Sequence, residues 1–184
     1  MHFSPPLPPS ADKSRTEQRD VLQLLLASQQ RIRHFTALAL RLGHAQGATP
    51  AELSGTAARV ARYFTQRLPQ HFEAEDFALL PRLFTTTIST EMMRHLWGMK
   101  LQHEAIEQAL SKLVPLWLTL RDSPERYGEL AESLARGSQQ LMLLMEVHLH
   151  LEEQYLFPLV RTCLPPEALE ELATEVLRGR DLLN

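Results

Sequence analysis

The stretches HFEAEDFALLP, residues 71–81, and HLHLEEQYLFP, residues 148–158, carry one pattern twice in this chain of 184 residues. Each copy has a histidine, a glutamate four residues later, a second acidic residue directly after it, and a final proline. On an α-helix, side chains four residues apart lie on one face with Cβ atoms about 5–6 Å apart. Each copy therefore predicts a helix whose imidazole and carboxylate point at the same spot, which suits a divalent transition metal.

One further histidine precedes each copy in an apolar, helical stretch: His34 before the first copy and His103 before the second. Single His-x-x-x-Glu pairs arise often by chance as hydrogen-bonded surface pairs, but two in register are much less easily explained in that way. The helix faces that carry the two motif histidines also carry apolar side chains, namely Phe64, Leu68, Leu141, Leu144 and Met145. Because a buried carboxylate without a partner is costly, a bound metal is the economical solution.

The composition predicts one globular domain, since 44% of the residues are apolar and the 19 basic and 22 acidic residues are scattered along the chain. This balance lacks the basic stripe that a nucleic-acid binder needs. We find neither a signal-peptide pattern nor the run of about 18 apolar residues that a membrane span requires. We therefore expect a cytoplasmic protein with no nucleic-acid and no membrane partner. The single cysteine, Cys163, cannot form an internal disulfide.

The predominance of Leu, Ala, Glu, Gln and Arg predicts an all-α fold. We expect a flexible, proline-rich arm over residues 1–12 and a single domain over residues 13–184. Its helices are predicted from residues 11–14 to 42–45, from 50 to about 84, from about 91 to 122, from 124 to about 159, and over 166–180. Four long helices joined by short connections pack as an antiparallel up-down four-helix bundle, to which the short last helix is an addition.

In such a bundle a pseudo-twofold axis relates the two helical hairpins, and six side chains converge in the core: His34, His71, Glu75, His103, His148 and Glu152. His44 is the alternative to His34 on the first helix, because the level of His34 matches that of the second-helix histidine only if the connection is uneven or the helix is tilted. Two carboxylates placed between two metal ions can bridge them, while histidines hold each ion from outside. Ions about 3.5–4 Å apart form a common arrangement for chemistry on small oxygen-containing molecules.

At these residues the chain resembles the hemerythrin-like, or HHE cation-binding, family, whose hallmark is a doubled His...His-x-x-x-Glu-Glu pattern that ends in Leu-Phe-Pro. The resemblance spans about residues 20–161. It implies a four-helix bundle with a non-haem di-iron centre and an oxo or hydroxo bridge, although zinc or manganese would suit either position. The roles that the resemblance implies are one iron on His34 and His71, the other on His103 and His148, and bridging carboxylates from Glu75 and Glu152.

The chain departs from the oxygen-carrying hemerythrins at Glu107. Those proteins have a second histidine four residues after the third-helix ligand, and their fourth helix spaces its carboxylate one residue further from the histidine. Glu107 is either an additional metal ligand or a surface residue near the site, because the spacing permits ligation but does not require it. An anion in place of a neutral imidazole would lower the redox potential of iron, which argues against reversible oxygen carriage.

Three functions follow as hypotheses. The first is a di-iron protein that binds O2, NO or peroxide for sensing, scavenging or iron handling. The second is an enzyme that consumes peroxide or oxygen at the same centre. The third is a metal-free helical interaction module. The terminal helix either covers the bundle or pairs with a second copy of the chain, so that a homodimer is compatible with each hypothesis.

Overall fold

The computed structural model describes residues 21–181, with side chains described as far as Arg178. Within this range the chain forms five helices and no strand, as the all-α prediction requires. Their bounds are Val21–Gly43 for α1, residues 50–84 for α2, Thr90–Asp122 for α3, residues 127–163 for α4, and Pro166–Asp181 for α5. The predicted arm over residues 1–12 and the predicted start of the first helix lie outside the described residues.

The start of α2 is set by a capping box that the sequence predicts. The hydroxyl of Thr49 accepts a hydrogen bond from the backbone N–H of Glu52 at 3.3 Å, and the Glu52 carboxylate accepts one from the Thr49 N–H at 2.8 Å. Pro50 occupies the first turn, where its missing N–H costs nothing. Two of the helix donors that lack an intrahelical partner are thereby satisfied.

The fourth helix begins differently from the prediction. Pro124–Arg126 forms a short 3-10 turn, and the regular helix starts at Tyr127. It also continues to Cys163, beyond the predicted end near residue 159. The proline at position 158 does not end the helix, because the backbone before it widens.

Three segments of π-helix interrupt the long helices: Tyr63–Arg67 and Ala74–Leu79 in α2, and Glu152–Leu156 in α4. Each lies two residues before a proline, at position 69, 81 or 158. A proline inside an α-helix lacks the N–H donor, and its ring clashes with the carbonyl four residues earlier. The wider π turn accommodates both defects, and such turns are frequent at functional sites.

The helices α1 to α4 form a four-membered bundle in which each long helix has two neighbours. α1 packs against α4 and α2, and α3 packs against the same two helices, so that α1 and α3 lie diagonally opposite. The end of α1 approaches α4 very closely at Gly43. A Cβ atom at this position would lie 2.6 Å from the Cα atom of Ala135, so only glycine fits.

Two apolar layers fill the bundle, and a polar layer separates them. On α1 one layer ends at Leu25 and the other begins at Ile32; on α3 the corresponding residues are Met99 and Ile106. The doubled motif lies at this same level on α2 and α4.

In the part of the chain that the structure describes, none of the helices combines the length and the apolar character of a membrane span.

Candidate metal centre

The polar layer of the bundle holds five buried histidine and glutamate side chains, which we call the histidine–glutamate cluster. Its members are His71 and Glu75 on α2, His103 on α3, and His148 and Glu152 on α4. Each residue is at most 6% exposed, and both glutamates are fully buried. The sequence predicts all five as members of one site, and the structure brings all five together.

The distances in this cluster match those between neighbouring ligands of one metal ion. His148 Nε2 lies 3.0 Å from Glu152 Oε1, and His71 Nε2 lies 3.5 Å from this same oxygen and 3.5 Å from Glu75 Oε1. His103 Nε2 lies 3.2 Å from Glu75 Oε2. Metal–ligand bonds of about 2.0–2.2 Å place adjacent ligand atoms about 3.0–3.5 Å apart. One ligand atom from each of four members, His71, Glu75, His148 and Glu152, lies within 4.8 Å of the other three.

The inward-facing atoms of the cluster have no hydrogen-bond partner. They are the Nε2 atoms of the three histidines, both carboxylate oxygens of Glu75, and Oε1 of Glu152. Buried polar atoms are almost always hydrogen-bonded, since leaving one unpaired costs about 1–3 kcal/mol and more for a charged group. So many unpaired atoms of metal-ligand type around one point are the arrangement that a bound cation would satisfy.

Two side chains outside the cluster orient its histidines, and the sequence interpretation did not include them. His103 Nδ1 contacts Asp76 Oδ2 at 3.1 Å, and His148 Nδ1 contacts Gln102 Oε1 at 3.2 Å. Because these oxygens only accept, each Nδ1 carries the hydrogen and each Nε2 presents its lone pair inward. A metal-ligating histidine usually has such an outer partner. The two acidic residues in the first copy of the motif therefore have different roles: Glu75 faces the cluster, and Asp76 orients His103.

The electrostatics of the metal-free cluster is unbalanced. Burial, together with the neighbouring Glu152 carboxylate, raises the pKa of Glu75 well above its ordinary value. For Glu152 burial acts in the same direction, but His71 and His148 outweigh it and hold the pKa well below its usual range. Burial lowers the pKa of His71, yet Glu75 and Glu152 more than offset this effect and raise it overall. One carboxylate is thus stabilised by imidazoles, while the other lacks a sufficient counter-charge until a cation binds.

The first helix does not contribute the predicted histidine. His34 is exposed on α1, and the alternative His44 is exposed beyond its end. Gln29 takes the position instead: it is fully buried, and its Nε2 donates a hydrogen bond of 3.0 Å to Glu152 Oε2. His34 lies five residues further on, which at 100° per residue turns it about 140° away from the cluster.

A sequence signal for Gln29 existed. The residues of α1 that face the core recur at intervals of three and four: Leu22, Leu25, Gln29, Ile32, Thr36 and Ala39. Gln29 is a polar residue in this apolar stripe, whereas His34 lies outside it. The contact of Gly43 with Ala135 also fixes how α1 is aligned along α4. Gln29 lies 14 residues before Gly43, and His148 lies 13 residues after Ala135, so the two residues are at about the same level of the bundle.

Glu107 is exposed on α3 and does not reach the cluster. It lies one turn after His103, and its exposure favours the interpretation as a surface residue over that as a metal ligand. His150, two residues after His148 on α4, is exposed as well.

A cavity of about 1150 Å³ opens on the surface beside α1, α2 and α5. Among the described residues, one member of the cluster, His71, lines this cavity. Other lining residues include Ser28, Gln70 and Ala74. The wall of the cluster next to the cavity is therefore the His71 side.

Comparison with known families agrees with this geometry. A family model described as the hemerythrin HHE cation-binding domain matches residues 20–160. The chain belongs to this family. No individual curated protein matches the chain closely enough to count as a relative. The hemerythrin-like domain thus covers the four bundle helices as far as the motif on α4, and its cluster provides a cation-binding site of the chemistry that the family description names.

Proposed function

We propose that this hemerythrin-like protein holds a dinuclear non-haem iron centre in its bundle and binds a small molecule such as O2, NO or peroxide there. The observation that carries the proposal is the set of inward-facing imidazole and carboxylate atoms without hydrogen-bond partners. Imidazole and carboxylate suit iron, and they also suit zinc and manganese, so the metal identity is part of the proposal.

The ligand set supports two ions because Glu75 presents its two oxygens in different directions. Oε1 lies 3.5 Å from His71 Nε2, and Oε2 lies 3.2 Å from His103 Nε2. With these two histidines, Glu75 would be able to help hold two cations. Bound iron would supply open coordination positions and a change of oxidation state.

The surroundings of the cluster favour a small, weakly polar ligand. Leu141 and Met145 precede His148 on α4 and are at most 1% exposed. Phe72 stacks on His103 with ring centroids 4.0 Å apart. These side chains exclude bulk water, while the cavity beside His71 provides access.

The proposal is tested by elemental analysis and a visible spectrum of protein purified in air without chelator. About two irons per chain, with charge-transfer bands, is the expected result. The double variant His71→Ala plus His148→Ala should lose the metal. A matched double variant, His34→Ala plus His150→Ala, removes two exposed histidines and should keep it. Stoichiometric iron in the first variant, or no metal in wild type after anaerobic ferrous loading, would defeat the proposal.

A further inference from the structure

The cavity beside α1, α2 and α5 has a strongly basic wall. Four arginines line it, one from α1 and three from α2: Arg31, Arg59, Arg62 and Arg67. Two glutamates line it as well, but one of them, Glu175, is paired with Arg82 at 2.8 Å. In a chain whose net charge is −3, this wall is a local excess of positive charge that attracts anions.

Three of these arginines are not used to hold the fold together. Arg31, Arg59 and Arg62 are exposed. The ion pairs found among the described residues lie on other arginines, at positions 33, 82, 121, 126 and 136, and on none of these three. Arg59 and Arg62 are also three residues apart on one helix, where like charges repel. An anion bound between the arginines would remove this repulsion.

The backbone of the same wall is the first π-helical segment, Tyr63–Arg67. Four of its five residues line the cavity, all except the buried Phe64. The other two π segments contain the cluster glutamates, Glu75 and Glu152, whereas the first contains no member of the cluster. Because π turns are frequent at functional sites, this segment is a second, independent feature that points to the cavity as a binding site.

A pair of stacked rings in the cavity wall fixes the levels of the arginines. Phe35 and Tyr63 both line the cavity, and their centroids lie 4.0 Å apart with the rings 8° from parallel. Since α1 and α2 run antiparallel, residues before Phe35 lie level with residues after Tyr63. Arg31 and Arg67 therefore share one level about one helical turn from the rings, and Arg59 lies about one turn away in the opposite direction. The two levels are about 12 Å apart along the helix axis.

We propose that this cavity binds an anion with two or more linked phosphate groups, either inorganic triphosphate or the phosphate chain of a nucleotide. Guanidinium groups bind phosphate oxygens in pairs, and arginines at two levels can hold successive phosphates of one chain. Gln66 and Gln70 add amide hydrogens to the lining, and Phe35 adds apolar surface. The volume of about 1150 Å³ is large enough for a nucleotide, since small-molecule sites usually measure about 300–1,000 Å³. The arginines lie outside the histidine–glutamate cluster, so the proposal does not depend on a bound metal.

The test is a calorimetric titration of the metal-free protein with sodium triphosphate, with ATP and with phosphate. Metal-free protein is used because phosphate groups bind metal ions themselves. Wild type should bind triphosphate at least about tenfold more tightly than phosphate, and added salt should weaken the binding. Binding of ATP about threefold or more tighter than that of triphosphate would identify the ligand as a nucleotide, since only ATP can use the apolar wall. Equal affinities would identify it as the inorganic phosphate chain.

Two double variants separate a site from a general effect of charge. Arg31→Gln plus Arg62→Gln removes one arginine from each helix of the wall and should weaken triphosphate binding by at least about tenfold. Arg41→Gln plus Arg94→Gln removes two exposed arginines outside the cavity, with the same change of net charge, and should bind as wild type does. Circular dichroism checks that both variants fold.

Two results would overturn the proposed phosphate site. One is the absence of triphosphate and ATP binding in folded wild type. The other is an equal loss of affinity in the two double variants, which would trace the binding to net charge alone. The iron content of the purified protein is measured separately, so either result would leave the proposed metal centre intact.

Discussion

Replacing Glu75 by glutamine should have opposite effects on the metal-free and the metal-loaded protein. Glu75 is fully buried, and its pKa is raised well above the ordinary value of 4.5 because burial and the Glu152 carboxylate disfavour its charge. Glutamine has nearly the same shape and no charge to bury. In the metal-free protein Glu75→Gln should therefore stabilise the fold, although it alters a residue at the centre of the candidate site.

The size of this effect has a ceiling. Because the buried carboxyl group can take up a proton instead of staying charged, its destabilising effect at pH 7 cannot exceed the cost of protonating it. That cost is the span from the ordinary pKa of 4.5 to pH 7 at about 1.4 kcal/mol per pH unit, or about 3 kcal/mol. For a chain of this length 1 kcal/mol shifts the melting temperature by about 2–4 °C. We expect metal-free Glu75→Gln to melt about 3–10 °C above wild type at pH 7. Because the folded-state pKa is raised, the gain should shrink as the pH falls and vanish below about pH 4.

With metal bound, the effect of Glu75→Gln on stability reverses, because the variant lacks the carboxylate that offsets the charge of the cations. Metal affinity should fall by about 10-fold or more, and the stabilisation by saturating metal should fall with it. The assay is thermal unfolding by circular dichroism, with and without metal, for wild type, Glu75→Gln and the control Glu73→Gln, which alters an exposed residue on the same helix. A metal-free Glu75→Gln protein that melts below wild type at pH 7 would refute the view that this carboxylate is kept for a cation.

Three further predictions concern binding and packing. Metal affinity should fall as the pH is lowered, and binding should release protons, because the raised pKa values of His71 and Glu75 make protons compete more strongly with the metal; calorimetry in buffers of different ionisation enthalpy measures the release. Asp76→Asn should lower metal affinity about 10- to 100-fold with little change in the metal-free melting temperature, since it weakens the partner of the α3 histidine. Gly43→Ala should destabilise the protein by about 1–3 kcal/mol or more because its Cβ would lie 2.6 Å from the α4 backbone, whereas Gly55→Ala, with nothing within 4 Å, should stabilise it by about 0.5–1 kcal/mol; urea unfolding compares the two.

The fold was predictable because local and long-range signals agree along the chain. Thr49 and Pro50 start α2 where the capping pattern places the start, and the break before Thr90 separates α2 from α3 as expected. Each long helix carries an apolar stripe at the helical period, so four amphipathic helices with short connections leave few arrangements other than a bundle. The late end of α4 was missed because a proline in a helical pattern usually marks a helix end or a kink.

The site residues that are set by spacing within one helix were predictable from the sequence. The residue that depends on how two helices are aligned along each other was not. His71 with Glu75, and His148 with Glu152, are fixed by one helical turn each. The α1 contribution depends instead on how far α1 slides along α4, which is set by the contact at Gly43 and by no local pattern. The histidine pattern therefore predicts His34, whereas the buried polar residue of α1 that contacts the cluster is Gln29.

The last three residues of each copy of the motif also shape the backbone at the preceding glutamate, in addition to packing in the core. Apolar residues followed by a proline, as in these Leu-Leu-Pro and Leu-Phe-Pro endings, are typical of core packing and a bend in the helix. In the structure the N–H of Leu80 donates to the carbonyl of Glu75, and the N–H of Phe157 donates to that of Glu152, each across five residues. The prolines that follow exclude the regular α-helical bonding pattern at these turns. The backbone at the two buried glutamates is therefore shaped by the end of the motif, and histidine, glutamate and proline belong to one site-forming unit that the chain uses twice.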